Sequence, residues 1–97
     1  MNDKLRGELA ELMGAVLQLR DREEAYAFFE DLCTVAELHA MAQRWAVARL
    51  LHGGYGYQAV AERTGASSAT ISRVKRSLLY GADGYRRILE RPEGDQG

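Results

Sequence analysis

The sequence has few residues of the kinds that hold metals, form disulfides or span membranes. Its 97 residues include one cysteine, Cys33, and two histidines, His39 and His52, which are far apart. An internal disulfide is ruled out and no metal-ligand spacing is present, so we expect neither a metal nor a cofactor. Neither histidine has a serine or cysteine nucleophile at a suggestive spacing, so we expect no enzyme. Because neither a run of about 18 apolar residues nor a signal-peptide pattern occurs, we expect a cytoplasmic protein without a membrane span.

Strand signals are also missing, and helical periodicity accounts for most of the chain. We predict one all-α domain over residues 1–91 with about six helices, followed by a disordered tail over residues 92–97. The first helix is predicted over residues 3–19, and the second begins after Asp21. A short last helix is predicted to begin near Tyr85.

A long third helix is predicted in the middle of the chain. It begins at a capping box over residues 34–37, runs through Leu51, and ends at the glycines 53–54. The apolar stripe predicted for this helix comprises Leu38, Met41, Ala42, Trp45, Ala48 and Leu50 or Leu51.

Residues 57–79 predict a helix-turn-helix. Gly65 allows the positive φ that a sharp turn needs, and Ser67 or Ser68 can cap the helix that follows. A small residue four positions before the glycine, Ala61, lets the two helices approach closely. The second helix has one apolar face, formed by Ile71, Val74 and Leu78.

The opposite face of that second helix predicts DNA binding. Short polar side chains stand first and can approach base edges, whereas the cations that follow can reach phosphates. Residues 57–91 carry seven cations and three acids, while residues 1–56 carry six cations and nine acids. This polarity favours a DNA-facing half and a scaffold half, although an ordinary helical hairpin with a basic surface is the alternative. The residues of this face are Ser68, Ala69, Ser72, Arg73 and Arg76.

The first two predicted helices carry more apolar surface than the rest of so short a chain can cover. Leucines and a valine recur in steps of four and three along the first helix and form an apolar seam. A second copy related by a two-fold axis would cover it, and two-fold symmetry also suits paired DNA half-sites. The alternative is a monomer with these helices folded back on Trp45. The seam comprises Leu5, Leu9, Leu12, Val16 and Leu19, and the second helix adds Tyr26, Phe28, Phe29 and Leu32.

Two blocks of the sequence, over residues 34–51 and 65–85, resemble the Trp-repressor superfamily, and most closely its YerC/YecD-type branch. The first block reads Thr-Val-Ala-Glu-Leu-His-Ala-Met-Ala-Gln-Arg-Trp, and the second contains Ala-Thr-Ile-Ser-Arg. The resemblance spans about residues 25–90. It implies an all-α, intertwined homodimer that binds double-stranded DNA in the nucleoid and regulates transcription, with repression as the expected mode.

The resemblance also implies where DNA and an effector would bind. In Trp repressor two arginines sandwich the tryptophan corepressor. Arg73 stands at one of these places, whereas Gln43 stands at the other, with Arg44 beside it. A glutamine lacks the charged planar fork of an arginine, so tryptophan is disfavoured and the effector is unknown. Helix 68–80 is expected to read the major groove, and the expected DNA contacts are Gln58, Ser67, Ser68, Ala69, Thr70, Ser72, Arg73, Lys75 and Arg76.

Two other functions stay open from the residues alone. A helix-turn-helix also serves DNA-binding modules of replication or transposition, and a helical protein of this size can be a protein-interaction module. The second helix of the motif carries three cations and no acid, which favours DNA over protein as the partner.

Overall fold

The computed structural model describes residues 1–92, and within them the chain forms six helices and no strand. The predicted all-α fold of about six helices is therefore confirmed. The tail predicted over residues 92–97 lies, from residue 93 onward, outside the described residues. None of the helices described is both long and apolar enough to cross a lipid bilayer. The helices are α1 (Asp3–Val16), α2 (Arg22–Leu32), α3 (Val35–His52), α4 (Tyr57–Thr64), α5 (Ser68–Tyr80) and α6 (Gly84–Leu89).

Side-chain caps begin the first two helices. The Asn2 side chain accepts a hydrogen bond from the backbone N–H of Leu5 at 2.9 Å, and Asp21 accepts one from Glu24 at 2.8 Å. The predicted start of the second helix at Asp21 is thus confirmed. The predicted end of the first helix is wrong by three residues, because the chain tightens after Val16 into a turn closed by i→i−3 hydrogen bonds.

Residues 1–34 form one compact unit, in which no side chain is buried. Four of the five seam residues are half-buried, and Leu5 is exposed. The rings of Phe28 and Phe29 meet edge to face with their centroids 5.6 Å apart. Apolar side chains at helical spacing thus remain partly open to solvent along both α1 and α2.

The second compact unit begins at Val35 and contains the hydrophobic core. The other three helices of this unit, α4, α5 and α6, all pack on α3. The prediction of a single domain over residues 1–91 stays a prediction. The buried core residues are Val47, Ala48, Leu50, Val60, Ala66, Ile71 and Val74.

The apolar stripe predicted along α3 is only partly right. Ala48 and Leu50 are buried, but Ala42 is exposed and Trp45 is 39% exposed. Val47, which the stripe omitted, is fully buried. The reason is that three helices, α4, α5 and α6, all pack on α3, so its buried surface is wider than one periodic stripe.

The glycines after α3 turn the chain towards α4. Gly54 adopts a φ of +93°, which side-chain-bearing residues rarely adopt. The N–H of Tyr55 donates to the carbonyl of Leu50, and that of Gly54 donates to Leu51, both at 3.1 Å. This pair of bonds is a Schellman motif, which satisfies carbonyls that the helix end leaves without partners and confirms the predicted end of the third helix.

Candidate nucleic-acid interface

The predicted helix-turn-helix is formed by α4, a three-residue turn and α5. Gly65 ends α4 with a φ of +70°, and its N–H donates to the carbonyl of Ala61 at 2.9 Å. Ser67 then caps α5, because its hydroxyl oxygen accepts a hydrogen bond from the N–H of Thr70 at 3.1 Å. The predicted roles of the glycine and the serine are both confirmed.

The inner face of α5 holds it on the core. Ile71 and Val74 are each 2% exposed, and Leu78 is 8% exposed. These residues recur at i, i+3 and i+7, so one side of α5 is buried against the core and the opposite side is exposed to solvent. The packing therefore determines which side of α5 can meet a partner.

The predicted DNA-contacting residues lie mostly on accessible positions of α4 and α5. All of them except Thr70 are exposed. Thr70 is half-buried, and its hydroxyl accepts a hydrogen bond from that of Ser67 at 3.1 Å, so it belongs to the cap at the start of α5. Gln58 lies in the first turn of α4, two residues after the N-cap residue Gly56, which makes no side-chain hydrogen bond to the start of the helix.

The charges on α5 differ from those on α6 in how they are paired. Arg86 in α6 lies 3.4 Å from the carboxylate of Glu90 and 3.9 Å from that of Asp83. In contrast, the α5 cations form no ion pair with any acid in residues 1–92; these cations are Arg73, Lys75 and Arg76. The positive charge of α5 is thus available to an anionic partner.

A cation–π contact that the sequence analysis missed lies beside the helix-turn-helix. The guanidinium carbon of Arg63, near the end of α4, lies 4.4 Å from the ring centroid of Tyr55. The contact ties the loop before α4 to the last turn of α4. A spacing of eight residues across a loop carries no sequence signal for such a contact.

The predicted effector-pocket residues have different surroundings. Gln43 and Arg44 in α3 are half-buried, whereas Arg73 in α5 is exposed. The side-chain amide nitrogen of Gln43 donates to the backbone carbonyl of Thr64 at 3.2 Å. One donor of Gln43 is therefore already bonded to the end of α4.

A cavity of about 410 Å³ lies elsewhere in the second unit, where α3, the end of α5 and the start of α6 meet. None of the three predicted effector-pocket residues lines it. Its lining consists of Trp45, Ser77, Gly81, Ala82, Gly84 and Tyr85. Trp45, which was predicted to belong to the apolar stripe of α3, therefore lines this cavity.

Comparisons with known proteins agree on one family. The model of the family described as Trp repressor protein matches residues 7–93. The chain is 54% identical over 90 residues to the uncharacterised protein YerC of Bacillus subtilis (strain 168). The aligned region covers 92% of this chain and 86% of that protein. It is also similar to the crystal structure of a protein from Staphylococcus aureus provisionally assigned as a Trp repressor. The TM-score is 0.88 and the identity 49%, over 98% of this chain and 94% of the other.

A second solved structure gives the same result. A TrpR-like protein from Eubacterium eligens ATCC 27750 superposes with a TM-score of 0.88 at 52% identity, over 93% of this chain and 94% of that one. Identity of about half, sustained over nearly the whole of each chain, is shared by both structures and by the Bacillus protein.

Proposed function

This chain belongs to the Trp repressor family, and we propose that it is a sequence-specific DNA-binding transcriptional regulator that reads the major groove with α5. The observation that carries the proposal is the asymmetry of α5. One side is held in the core by buried residues, while the other presents short polar side chains and cations that no acid in residues 1–92 neutralises. The proposed activity is binding and not catalysis.

Each part of the proposed interface has a physical role. Ser68, Ala69 and Ser72 are short, so the start of α5 can approach base edges closely. Ser67 and Thr70 hold the cap at that start. The remaining residues contact the phosphate backbone and orient the protein on the duplex; they are Gln58, Arg73, Lys75 and Arg76.

We further propose that the protein acts as a homodimer joined through α1 and α2. No side chain of residues 1–34 is buried in the single chain, although α1 carries the apolar seam and α2 carries two phenylalanines. A second copy of the same helices would cover these side chains. The dimer would also present two copies of α5 to two half-sites on DNA.

The effector, if the protein uses one, is proposed to be a molecule other than L-tryptophan. Gln43 stands where the family resemblance implies an arginine, and one of its amide donors is bonded to Thr64. A neutral amide offers a carboxylate neither the charge nor the forked donors of a guanidinium.

A salt titration of DNA binding tests the proposed function. Duplexes selected by the protein from a random pool are labelled, and their affinity is measured by fluorescence anisotropy between about 50 and 200 mM salt. Because phosphate contacts release counterions, we expect log K to fall linearly and steeply with log salt, and scrambled duplexes to bind more weakly at every salt concentration. Binding that is insensitive to salt, or the absence of any enriched sequence, would contradict the proposal and favour a protein-interaction module.

A further inference from the structure

The side chain of Gln43 joins two elements that are far apart in sequence. It extends from the middle of α3 to the last residue of α4, where its amide nitrogen lies 3.2 Å from the carbonyl oxygen of Thr64, 21 residues away. A carbonyl oxygen can only accept a hydrogen bond, so the nitrogen of Gln43 is the atom that faces it. Both residues are partly buried, so water competes poorly for this bond.

Thr64 is at the centre of a small hydrogen-bond network at the end of α4. Its hydroxyl donates to the carbonyl of Val60 at 2.7 Å and accepts from the N–H of Ala66 at 3.2 Å. Its own carbonyl belongs to the last turn of the helix, where no following helical N–H is available. Gln43 supplies the missing donor from α3, so the network ties both sides of Gly65 to the core.

This network lies directly before the start of α5. Only Gly65, Ala66 and Ser67 separate Thr64 from the first residue of α5, and Gly65 already has the positive φ that reverses the chain. Ala66 is buried, so the turn is anchored on both sides of the glycine. Holding Thr64 therefore holds the residues at the start of α5, three positions beyond the turn glycine.

We propose that Gln43 is a positioning residue of the DNA interface, which fixes the turn of the helix-turn-helix by donating to the Thr64 carbonyl. The proposal rests on the proposed function of α5 and assigns to Gln43 a role other than contact with a ligand. Through this hydrogen bond, α3 holds the start of α5 in the orientation that DNA binding requires. Loss of the amide donor loosens the turn without removing any residue that touches DNA.

The first test removes only the donor. Gln43→Met retains the length and approximate volume of the side chain, and amide hydrogen exchange is followed by NMR in the absence of DNA. We expect Gly65 and Ala66 to exchange about three- to tenfold faster in this variant, while the amide of Arg87 in α6 is unchanged. Affinity for the selected duplex should fall by about three- to tenfold, with unchanged mass and helical content.

The second test uses the pH dependence of a variant that can regain the donor. In Gln43→Glu the ionised carboxylate repels the Thr64 carbonyl, whereas the protonated acid can donate to it. The carbonyl raises the pKa of the introduced carboxyl, because it disfavours the charged form. Gln18→Glu, in the turn after α1, introduces the same charge at an exposed glutamine and is the matched control.

At pH 8 we expect Gln43→Glu to bind the duplex about tenfold more weakly than Gln18→Glu, with the difference closing to about twofold at pH 5. If Gln43→Glu had only a steric defect, its duplex affinity would not recover at low pH. If circular dichroism shows that Gln43→Met is unfolded, this second test alone decides whether Gln43 positions the turn. Unchanged exchange at Gly65 and Ala66, or duplex affinity equal to that of the control at both pH values, would overturn the positioning role. If the wild-type protein binds no duplex at all, the proposed function fails instead. Unchanged exchange at Gly65 and Ala66 in Gln43→Met would then separately refute the role of Gln43 in fixing the turn.

Discussion

The ring of Tyr85 in α6 lies beside that of Trp45 in α3, with the centroids 6.2 Å apart and the planes inclined by 31°. Together with the contact between His52 and Glu90 at 3.6 Å, this aromatic pair holds the short helix α6 on α3. The His52 and Glu90 side chains are 37% and 51% exposed, and an exposed pair contributes little, so the apolar packing of Tyr85 and Leu89 against the core is the larger contribution.

Replacing Tyr85 should therefore destabilise the protein. Tyr85→Ala removes a half-buried ring, and we expect the free energy of unfolding to fall by about 1–3 kcal/mol. Tyr80→Ala, which removes a ring that is 83% exposed, should change it by less than about 0.5 kcal/mol. Urea unfolding at one fixed protomer concentration, followed by circular dichroism, compares the two variants. Equal effects of both substitutions would show that the ring pair does not stabilise α6.

The cap of α5 gives a second comparison between neighbouring residues. Ser67→Ala removes the hydroxyl that accepts from the Thr70 N–H, and we expect a loss of about 1 kcal/mol in unfolding free energy. Ser68→Ala lies one residue inside the helix, where alanine is favourable, so stability should be unchanged or slightly higher. Thermal unfolding of both variants measures the difference. If Ser67→Ala were as stable to thermal unfolding as the wild-type protein, another group would have to accept the hydrogen bond from the Thr70 N–H.

The apolar seam of α1, of which no residue is fully buried in the single chain, predicts a dimer that a single charge disrupts. Light scattering at micromolar concentration should give about twice the chain mass of 10.8 kDa. Leu9→Asp places a charge in the seam and should shift the mass towards that of the monomer. Ala10→Asp introduces the same charge on the other side of α1, at an exposed position, and should leave the dimer intact. A wild-type protein that is monomeric at full helicity would contradict this prediction.

Two positions on α5 should separate affinity from specificity. Arg76→Ala should weaken all duplexes about equally and reduce the slope of log K against log salt by about one unit, as loss of one phosphate contact does. Ser72→Ala should instead change the preference among bases and leave the salt slope unchanged. Anisotropy titrations against the selected duplex and its single-base variants distinguish these effects. Unaltered binding by both variants would mean that another face of α5 meets the DNA.

L-Tryptophan should bind weakly or not at all. An arginine in place of Gln43 would supply ring stacking worth about 0.5–2 kcal/mol and charge-assisted bonds to the carboxylate. Without these contacts we expect a dissociation constant of about 1 mM or weaker by isothermal titration calorimetry. A constant on the order of tens of micromolar, together with tighter DNA binding, would refute the prediction. The same titration with L-histidine and other amino acids tests whether the protein has any effector.

Much of the helix-turn-helix could be predicted from the sequence, because its signals are local. The positive φ of Gly65, the cap at Ser67 and the buried face of α5 each depend on residues within two turns of one another. The start of α2 at Asp21 is equally local, because a carboxylate satisfies an amide three residues away. Such hydrogen bonds form within a few residues, so the order of residue types is enough to predict them.

Only the tertiary structure decided how α3 uses its surface. Three helices pack on it, so Val47 is buried and Trp45 lines a cavity, although the single periodic stripe omits Val47 and includes Trp45. From the sequence, Gln43 is notable only because the family resemblance implies an arginine at its place. In the fold its side-chain amide donates to the backbone carbonyl of Thr64, 21 residues away. Contacts of this kind depend on which helices meet, and that outcome is determined by the packing of the whole unit and not by the spacing of residues along one helix.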